Sequence, residues 1–280
     1  MSASTGSPSY LRLIIAFARN SLVREMQFRG NFLIDVVTRA FWFTAQVTMF
    51  DLIYRNVPTV NGWSRYEFFA FMATGMIINT LIEALFMPNC ANFSELIRTG
   101  NLDFVLLKPI DTQFLVSFEK LDLGALGHLF LNSGLLGYAL WQLDRPISAG
   151  QVLLYLGLIL VAVTFFYSLM ISLASTSIWL GQNQGLYDFW FYITIFARYP
   201  RSFYRDAQIP GAPALLFLFS YLLPILLVVT VPAEQITRHV RHPADPTWLV
   251  IVAPLAAVAG LFLSRQIFKL SLKSYRSASS

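Results

Sequence analysis

Seven apolar runs, separated by short charged segments, leave this chain few ways to fold. They cover residues 31–54, 67–88, 123–141 (with a more polar lead-in from 113), 151–180, 185–199, 212–232 and 247–268. A helix needs about 20 apolar residues to cross the ~30 Å hydrocarbon core of a bilayer, and most of the runs approach or exceed that length. In hydrocarbon the backbone must satisfy its own hydrogen bonds, which favours helices. Only 12% of the residues are charged while 56% are apolar, whereas soluble domains carry about 25% charged residues. The expected class is therefore an all-α polytopic membrane protein. The excess of five positive charges reads as loop bias rather than as a nucleic-acid surface, because the aromatics lie inside the apolar runs.

The segment before the first run is different. Arg12, Arg19, Arg24 and Arg29 alternate there with Leu11, Ile14, Ile15, Ala18, Leu22 and Met26, which share one helical face. This predicts an amphipathic helix over 10–29 lying on the membrane surface. The nine residues before it, MSASTGSPS, are polar and uncharged, so no cleaved signal peptide is expected. Arg265, Lys269, Lys273 and Arg276 crowd the other end of the chain. The positive-inside rule then places both termini in the cytoplasm. Two inner ends need an even number of crossings, so one of the seven runs does not cross. If 185–199 lies at the inner surface, Arg198, Arg201 and Arg205 stay inside, which the charge rule favours. If 212–232 dips in and returns, they are outside. Either way, 55–66 and 142–150 are outer loops and 89–112 is an inner one.

Chemical motifs are scarce. The chain has no GxxxxGK[ST] phosphate loop, so it is not expected to hydrolyse ATP alone. GxSxG, HExxH and CxxC are missing too, and the lone Cys90 cannot form an intramolecular disulfide. His239 and His242 are spaced i,i+3, but a metal there needs a further ligand such as Glu234 or Asp245, and a solvated basic loop is the simpler reading. His128, inside the third run, is expected to hydrogen-bond across the bundle. The intramembrane charges are few. Asp35 and Arg39 share a helical face as an ion pair, and Asp51 and Arg55 repeat the spacing. Glu83 is expected to pair with Lys120 or Arg98, or to face a substrate path. Glu119 and Asp122 flank Lys120 where the third span begins. Ser133/Gly137, Ala253/Ala257 and Ala256/Gly260 have the small-xxx-small spacing that lets helices approach.

Four stretches carry a resemblance: NGWSRYEFFAFMATG (61–75), IRTGNLDFVLLKPI (97–110), FARYPRSFY (196–204) with LPILLVVTVPAEQI (223–236), and the tail LKSYRSASS (272–280). With them the chain resembles, over essentially its whole length, the permease subunit of a bacterial ATP-binding-cassette transporter of the type-2 exporter class. The resemblance implies six transmembrane helices with an N-terminal amphipathic interfacial helix and a re-entrant segment before the last span. The spans would be 31–54, 67–88, 113–141, 151–180, 185–199 and 247–268, with 202–232 re-entrant on the outer side. That overrides the charge count, and the two prolines at 224 and 232 suit a broken segment. It also implies two ATPase subunits that hold ATP and Mg, a second permease copy or paralogue, membrane lipids around the pair, and a bacterial inner-membrane location. This chain itself would hold no cofactor.

The same resemblance makes 89–112 the loop that docks on the ATPase. Ser94 is expected to cap a short helix at 94–100, with Glu95, Leu96 and Ile97 in its first turn and Arg98 and Thr99 after them. Gly100 would end it in a left-handed turn, Asp103 would follow, and Lys108–Pro109 would break the chain. The 15% aromatic content and charge-free span centres suit an amphipathic or lipid-like cargo. An ion-gradient-driven transporter would want more midplane charge. A membrane enzyme would need a polar catalytic cluster, for which Glu83, Glu119, Lys120 and Asp122 are the only candidates. A non-transporting anchor for ATPases differs only in moving nothing.

Overall fold

Lipid tails are as apolar as leucine, so helix packing in a bilayer is decided by small and polar residues. The computed structural model describes residues 10–27, 29–180, 185–208, 210–237 and 249–276. Their regular structure is helical apart from one two-stranded hairpin, Thr59–Val60 with Trp63–Ser64. Helix α1 is Tyr10–Gln27. Its Leu11, Ile15, Leu22 and Met26 are exposed, while Ser21 Oγ accepts the Leu121 amide at 3.0 Å and the Glu25 carboxylate accepts that of Leu123 at 2.6 Å. These two bonds, the Tyr10 ring 4.7 Å from that of Phe114, and Phe17 against the core hold the helix, while most of its apolar side chains face outward.

Helix α2, Arg29–Asn56, leads into the hairpin, whose Asn61 and Gly62 have φ of +47° and +76°. Two left-handed residues are what a tight two-residue turn between antiparallel strands needs. The outer loop expected at 55–66 is therefore partly ordered as a hairpin. Helix α3, Arg65–Leu85, opens with a capping box between Ser64 and Glu67 and continues past a turn at Phe86 into α4, Met87–Arg98. Together they make one apolar rod of 34 residues, about 51 Å at 1.5 Å per residue. That exceeds the ~30 Å hydrocarbon core, so the rod outruns it when upright. The inner loop expected from 89 is thus helical up to Arg98.

After α5, Leu102–Leu106, and α6, Thr112–Phe118, the chain breaks at 119–122 before α7, Leu123–Gln142. The expected continuous span 113–141 is in fact two helices, because Asp122 re-caps the second by accepting the Ala125 amide at 2.9 Å. Helix α8, Ala149–Leu180, has 32 residues and no charge. Helices α9, Gly185–Ala197, and α10, Arg201–Arg205, follow. Helix α11, Ala212–Phe217, is prolonged by a π turn to Leu222 and ends before Pro224, which has no amide hydrogen to continue a ladder. Helix α12, Ile225–Thr237, leaves this break at 77°. Helix α13 is Leu249–Ser274.

Among the described residues, four helices are long and apolar enough to cross a membrane: 65–98, 123–142, 149–180 and 250–274; the bent pair α11–α12 makes a fifth if it counts as one span. The chain is thus an all-α polytopic membrane protein. Helix α2, diluted by Asp35, Arg39, Asp51 and Arg55, is not among the four, and α9 has only 13 described residues.

Polar links sort the ends of the bundle. At one end, Trp63 Nε1 donates to Ser202 Oγ at 3.0 Å, Arg145 Nη1 donates to the Thr237 carbonyl at 2.7 Å, and the same guanidinium stands 3.8 Å from Glu67. The hairpin, the α7–α8 turn, the start of α10 and the end of α12 therefore lie together. At the opposite end, Arg265 of α13 clamps Asp111 and Gln113 at the start of α6. In between, α13 packs on α8 through a small-residue seam. Ala253 and Ala257 are buried, and a Cβ added at Gly260 would lie 3.2 Å from Ser168 Cβ. The Ser133/Gly137 pair of α7 makes no such seam: a Cβ at Gly137 would meet nothing within 4 Å.

Candidate functional site

Charges at the end of the bundle that carries α1 gather around one guanidinium. Asp35 and Arg39 lie one turn apart on α2, so their side chains meet as the i,i+4 spacing predicts, at 2.8 Å. Arg39 also reaches Glu83 on α3 at 2.9 Å and lies 3.7 Å from Asp122 at the cap of α7. One cation thus ties three helices through three carboxylates, each about a third exposed. This corrects the expected partners of Glu83, which meets neither Lys120 nor Arg98. Its other oxygen accepts from Asn79 Nδ2 at 2.6 Å. His128 is buried nearby, but its Nε2 has no hydrogen-bond partner among the described residues, so the expected bond across the bundle is not made there. Asn132, one turn further along α7, makes such a bond, donating to Thr80 Oγ1 at 2.9 Å.

Lys120 is held by α4 rather than by an acid. Its ammonium donates to Asn92 Oδ1 at 2.5 Å. Asn89 closes on its backbone from both sides, donating to the Lys120 carbonyl at 2.7 Å and accepting its amide at 2.8 Å. Glu119 faces Lys108 across 4.0 Å. The break at 119–122 is thus a junction where α1, α4, α6 and α7 meet.

The segment expected to dock a partner takes a different shape from the one expected. Ser94 lies inside α4 and caps nothing; its Oγ meets Ser177 Oγ of α8 at 2.8 Å. Leu96 and Ile97 stand in the last turn, half-buried against the core. Arg98 is held by Glu95 in a two-pronged pair at 2.8 and 2.6 Å, both side chains more than half exposed. Thr99 caps the helix and returns its hydroxyl to the Glu95 carbonyl at 2.8 Å. Gly100, at φ +72°, takes the left-handed turn read from the sequence. Beyond it α5 buries Leu102 and Val105 and exposes Phe104 and Leu107, at 69% and 80%. Asp103 sits beside the Tyr275 phenol of the tail. Lys108 and Pro109 then separate α5 from α6. The Arg265 guanidinium holds the Asp111 carboxyl below the usual carboxylate range, and that carboxylate starts α6 by accepting the Phe114 amide at 3.0 Å.

What results is an elbow, α4–Gly100–α5, with an ion pair on one arm and a bare aromatic–aliphatic pair on the other. It can present charge and apolar area to another protein. Sequence reasoning placed the elbow but missed Phe104 and Leu107, whose spacing against Leu102 and Val105 is the available signal. His239, His242 and the tail beyond residue 276 lie outside the described residues. Compared with known proteins, residues 40–279 match the family model described as ABC-2 family transporter protein. No curated protein and no solved structure matches the chain. With the match running through all the bundle except α1 and the start of α2, the chain belongs to the ABC-2 family of transporter proteins.

Proposed function

We propose that this chain is the transmembrane permease subunit of an ATP-driven exporter in the bacterial inner membrane. Two copies, or one copy and a paralogue, form the pathway. Two separate ATPase subunits carry ATP and Mg beneath them, since this chain has no phosphate loop. The cargo is amphipathic or lipid-like. The spans are α2, α3 with the start of α4, α7, α8, α9 and α13, with α1 on the inner surface and both termini cytoplasmic. The segment from α10 to α12 is re-entrant: it starts at Ser202 and ends at Thr237 beside the same loops.

The observation that carries the reading is the elbow at 94–109. It projects past the α3–α4 rod with Phe104 and Leu107 bare and the Glu95–Arg98 pair exposed. Ser94, Thr99, Gly100, Asp103 and Lys108 shape it, while Leu96 and Ile97 support it from within. Covering Phe104 on docking removes a large apolar side chain from water, worth about 1.5–3 kcal/mol, or about 10- to 150-fold in affinity.

The test is co-purification of the chain with its ATPase. Phe104→Asp and Leu107→Asp, separately, are expected to weaken retention at least about tenfold while the permease itself unfolds at the wild-type temperature. Full retention in both variants sinks the docking assignment. Cargo movement that survives without any ATPase but stops with an ionophore identifies a gradient-driven transporter instead. Retention without any vesicle transport identifies an anchor.

A further inference from the structure

The elbow turns on residues that leave its angle open. Gly100 sits at φ +72°, in a part of backbone space that glycine enters and leaves at little cost, and Lys108–Pro109 interrupt the chain again. Helix α5 between them has five residues, too few to hold its shape alone. Packing must hold it instead. Leu102 and Val105 face inward, and the end of α13 closes on the helices around the bend. Phe268, 1% exposed, lies against Phe93 of α4 with ring centroids 5.6 Å apart. Arg265 Nη1 donates to Asp111 Oδ1 at 3.0 Å and to Gln113 Oε1 at 2.9 Å at the start of α6. Tyr275, one residue past the helix, keeps the turn by donating its amide to the Leu272 carbonyl at 3.2 Å. It packs half-buried on the core. Its hydroxyl is closed to water and has no hydrogen-bond partner among the described residues, although the Asp103 carboxylate of α5 is near enough to hold the phenol proton on.

The same face of α13 that meets the elbow also makes the seam with α8. Ala257, Gly260, Ser264, Phe268, Ser271 and Tyr275 follow one another at intervals of three or four, which keeps them on one side of a helix. Ala257, Ser264, Phe268 and Ser271 are buried, and Gly260 is where Ser168 of α8 approaches closely. Leu270, on the opposite side, is 55% exposed. We infer that Arg265, Phe268 and Tyr275 are positioning residues for the docking elbow: they hold α6, α4 and α5 against the one helix that is itself seated on α8. Tyr275 acts through its ring, since its hydroxyl makes no hydrogen bond among the described residues. The tail sequence LKSY, 272–275, is then the far end of a brace.

The brace rests on the proposed function only in what the elbow is held ready for; the contacts themselves need no ATPase. The test is hydrogen exchange on the purified full chain in phosphatidylcholine nanodiscs, followed by ATPase retention on the same variants. Tyr275→Ala removes a half-buried ring and should speed exchange of the α5 amides at least about fivefold, with α3 and α8 unchanged. Tyr275→Phe keeps the ring and should stay within about twofold of wild type, as should Leu270→Ala on the exposed face. Arg265→Gln should loosen the first turn of α6 in the same way. With Phe104 and Leu107 intact, Tyr275→Ala should also weaken ATPase retention at least about threefold, because a smaller fraction of molecules presents the elbow in its docking position. Unchanged α5 exchange in Tyr275→Ala overturns the brace. So does an equal rise in Leu270→Ala, or one spread over α3 and α8. Full retention of the ATPase by Tyr275→Ala overturns the positioning role if Phe104→Asp weakens retention. If Phe104→Asp and Leu107→Asp are both fully retained while α5 exchange is faster in Tyr275→Ala, the brace stands and the docking assignment is what fails.

Discussion

Removing the Arg39 guanidinium tests whether one cation organises the end of the bundle that carries α1. In Arg39→Met the hydrogen bonds to Asp35 and Glu83 disappear and three carboxylates are left facing one another. A hydrogen bond to a charged group contributes about 1.5–3 kcal/mol. The side chains are about a third exposed, so the lower end applies to each of the two bonds, and the expected loss is about 2–3 kcal/mol. The Asp122 contact at 3.7 Å adds little by itself, but without Arg39 it joins the mutual repulsion. The assay is reversible unfolding in mixed micelles on addition of sodium dodecyl sulfate, read by tryptophan fluorescence. A double-mutant comparison separates the hub from mere loss of side-chain volume. Arg39→Met with Glu83→Gln should recover at least about 1 kcal/mol of what Arg39→Met alone loses, because it removes one stranded charge. A single mutant within about 0.5 kcal/mol of wild type, or a double mutant no better than the single, refutes the argument.

Other expectations follow from the same coordinates. Because Arg265 lowers the Asp111 carboxyl, the pair stabilises the fold above the unfolded aspartate value of about 3.9 and stops doing so as pH falls through the lower folded value. Asp111→Asn should cost about 0.5–1 kcal/mol at pH 7, after allowance for solvent screening, and that difference should shrink steadily below pH ~4. Gly260→Leu pushes atoms into Ser168 and should destabilise by about 1–3 kcal/mol, whereas Gly137→Ala, with open space around it, should be neutral or stabilising by up to about 1 kcal/mol. In a Cys90→Ala background, single cysteines at Asn61 and Asp206 should both react with an impermeant maleimide from outside intact cells, and one at Phe104 should not; labelling of Asp206 from the inner side alone would remove the re-entrant topology.

The sequence made some of this architecture legible and hid the rest for identifiable reasons. Contacts one turn apart were readable, so Asp35–Arg39 and Asp51–Arg55 are paired as their spacing predicts. Glu83 was not, because its partner Arg39 lies 44 residues away and only the packing of α2 on α3 brings them together. Asn89, Asn92 and Ser94 look like loop residues in the sequence, yet they lie inside helix α4. Each of them instead spends its polarity on a distant element: Asn89 and Asn92 on Lys120, Ser94 on Ser177. The same physics misled the reading at 113–141, where Asp122 acts as an internal cap. Composition revealed the membrane class, but it could not reveal that α9 packs on α12 and α8, because those contacts join segments far apart in the chain.

Helix α8 has a consequence of a different kind. Its 32 uncharged residues make about 48 Å of helix, and even tilted by a typical ~20° they project some 15 Å beyond a ~30 Å hydrocarbon core. With no lysine or arginine to fix its depth, this helix takes its tilt from its packing on α13, α12 and α4. The Ser177 hydroxyl near its lower end is also the contact that steadies α4. A bilayer thin enough to lean the packed bundle over would carry that contact, and the start of the elbow, with it. The thickness of the host bilayer would then reach the elbow through this one pair of hydroxyls.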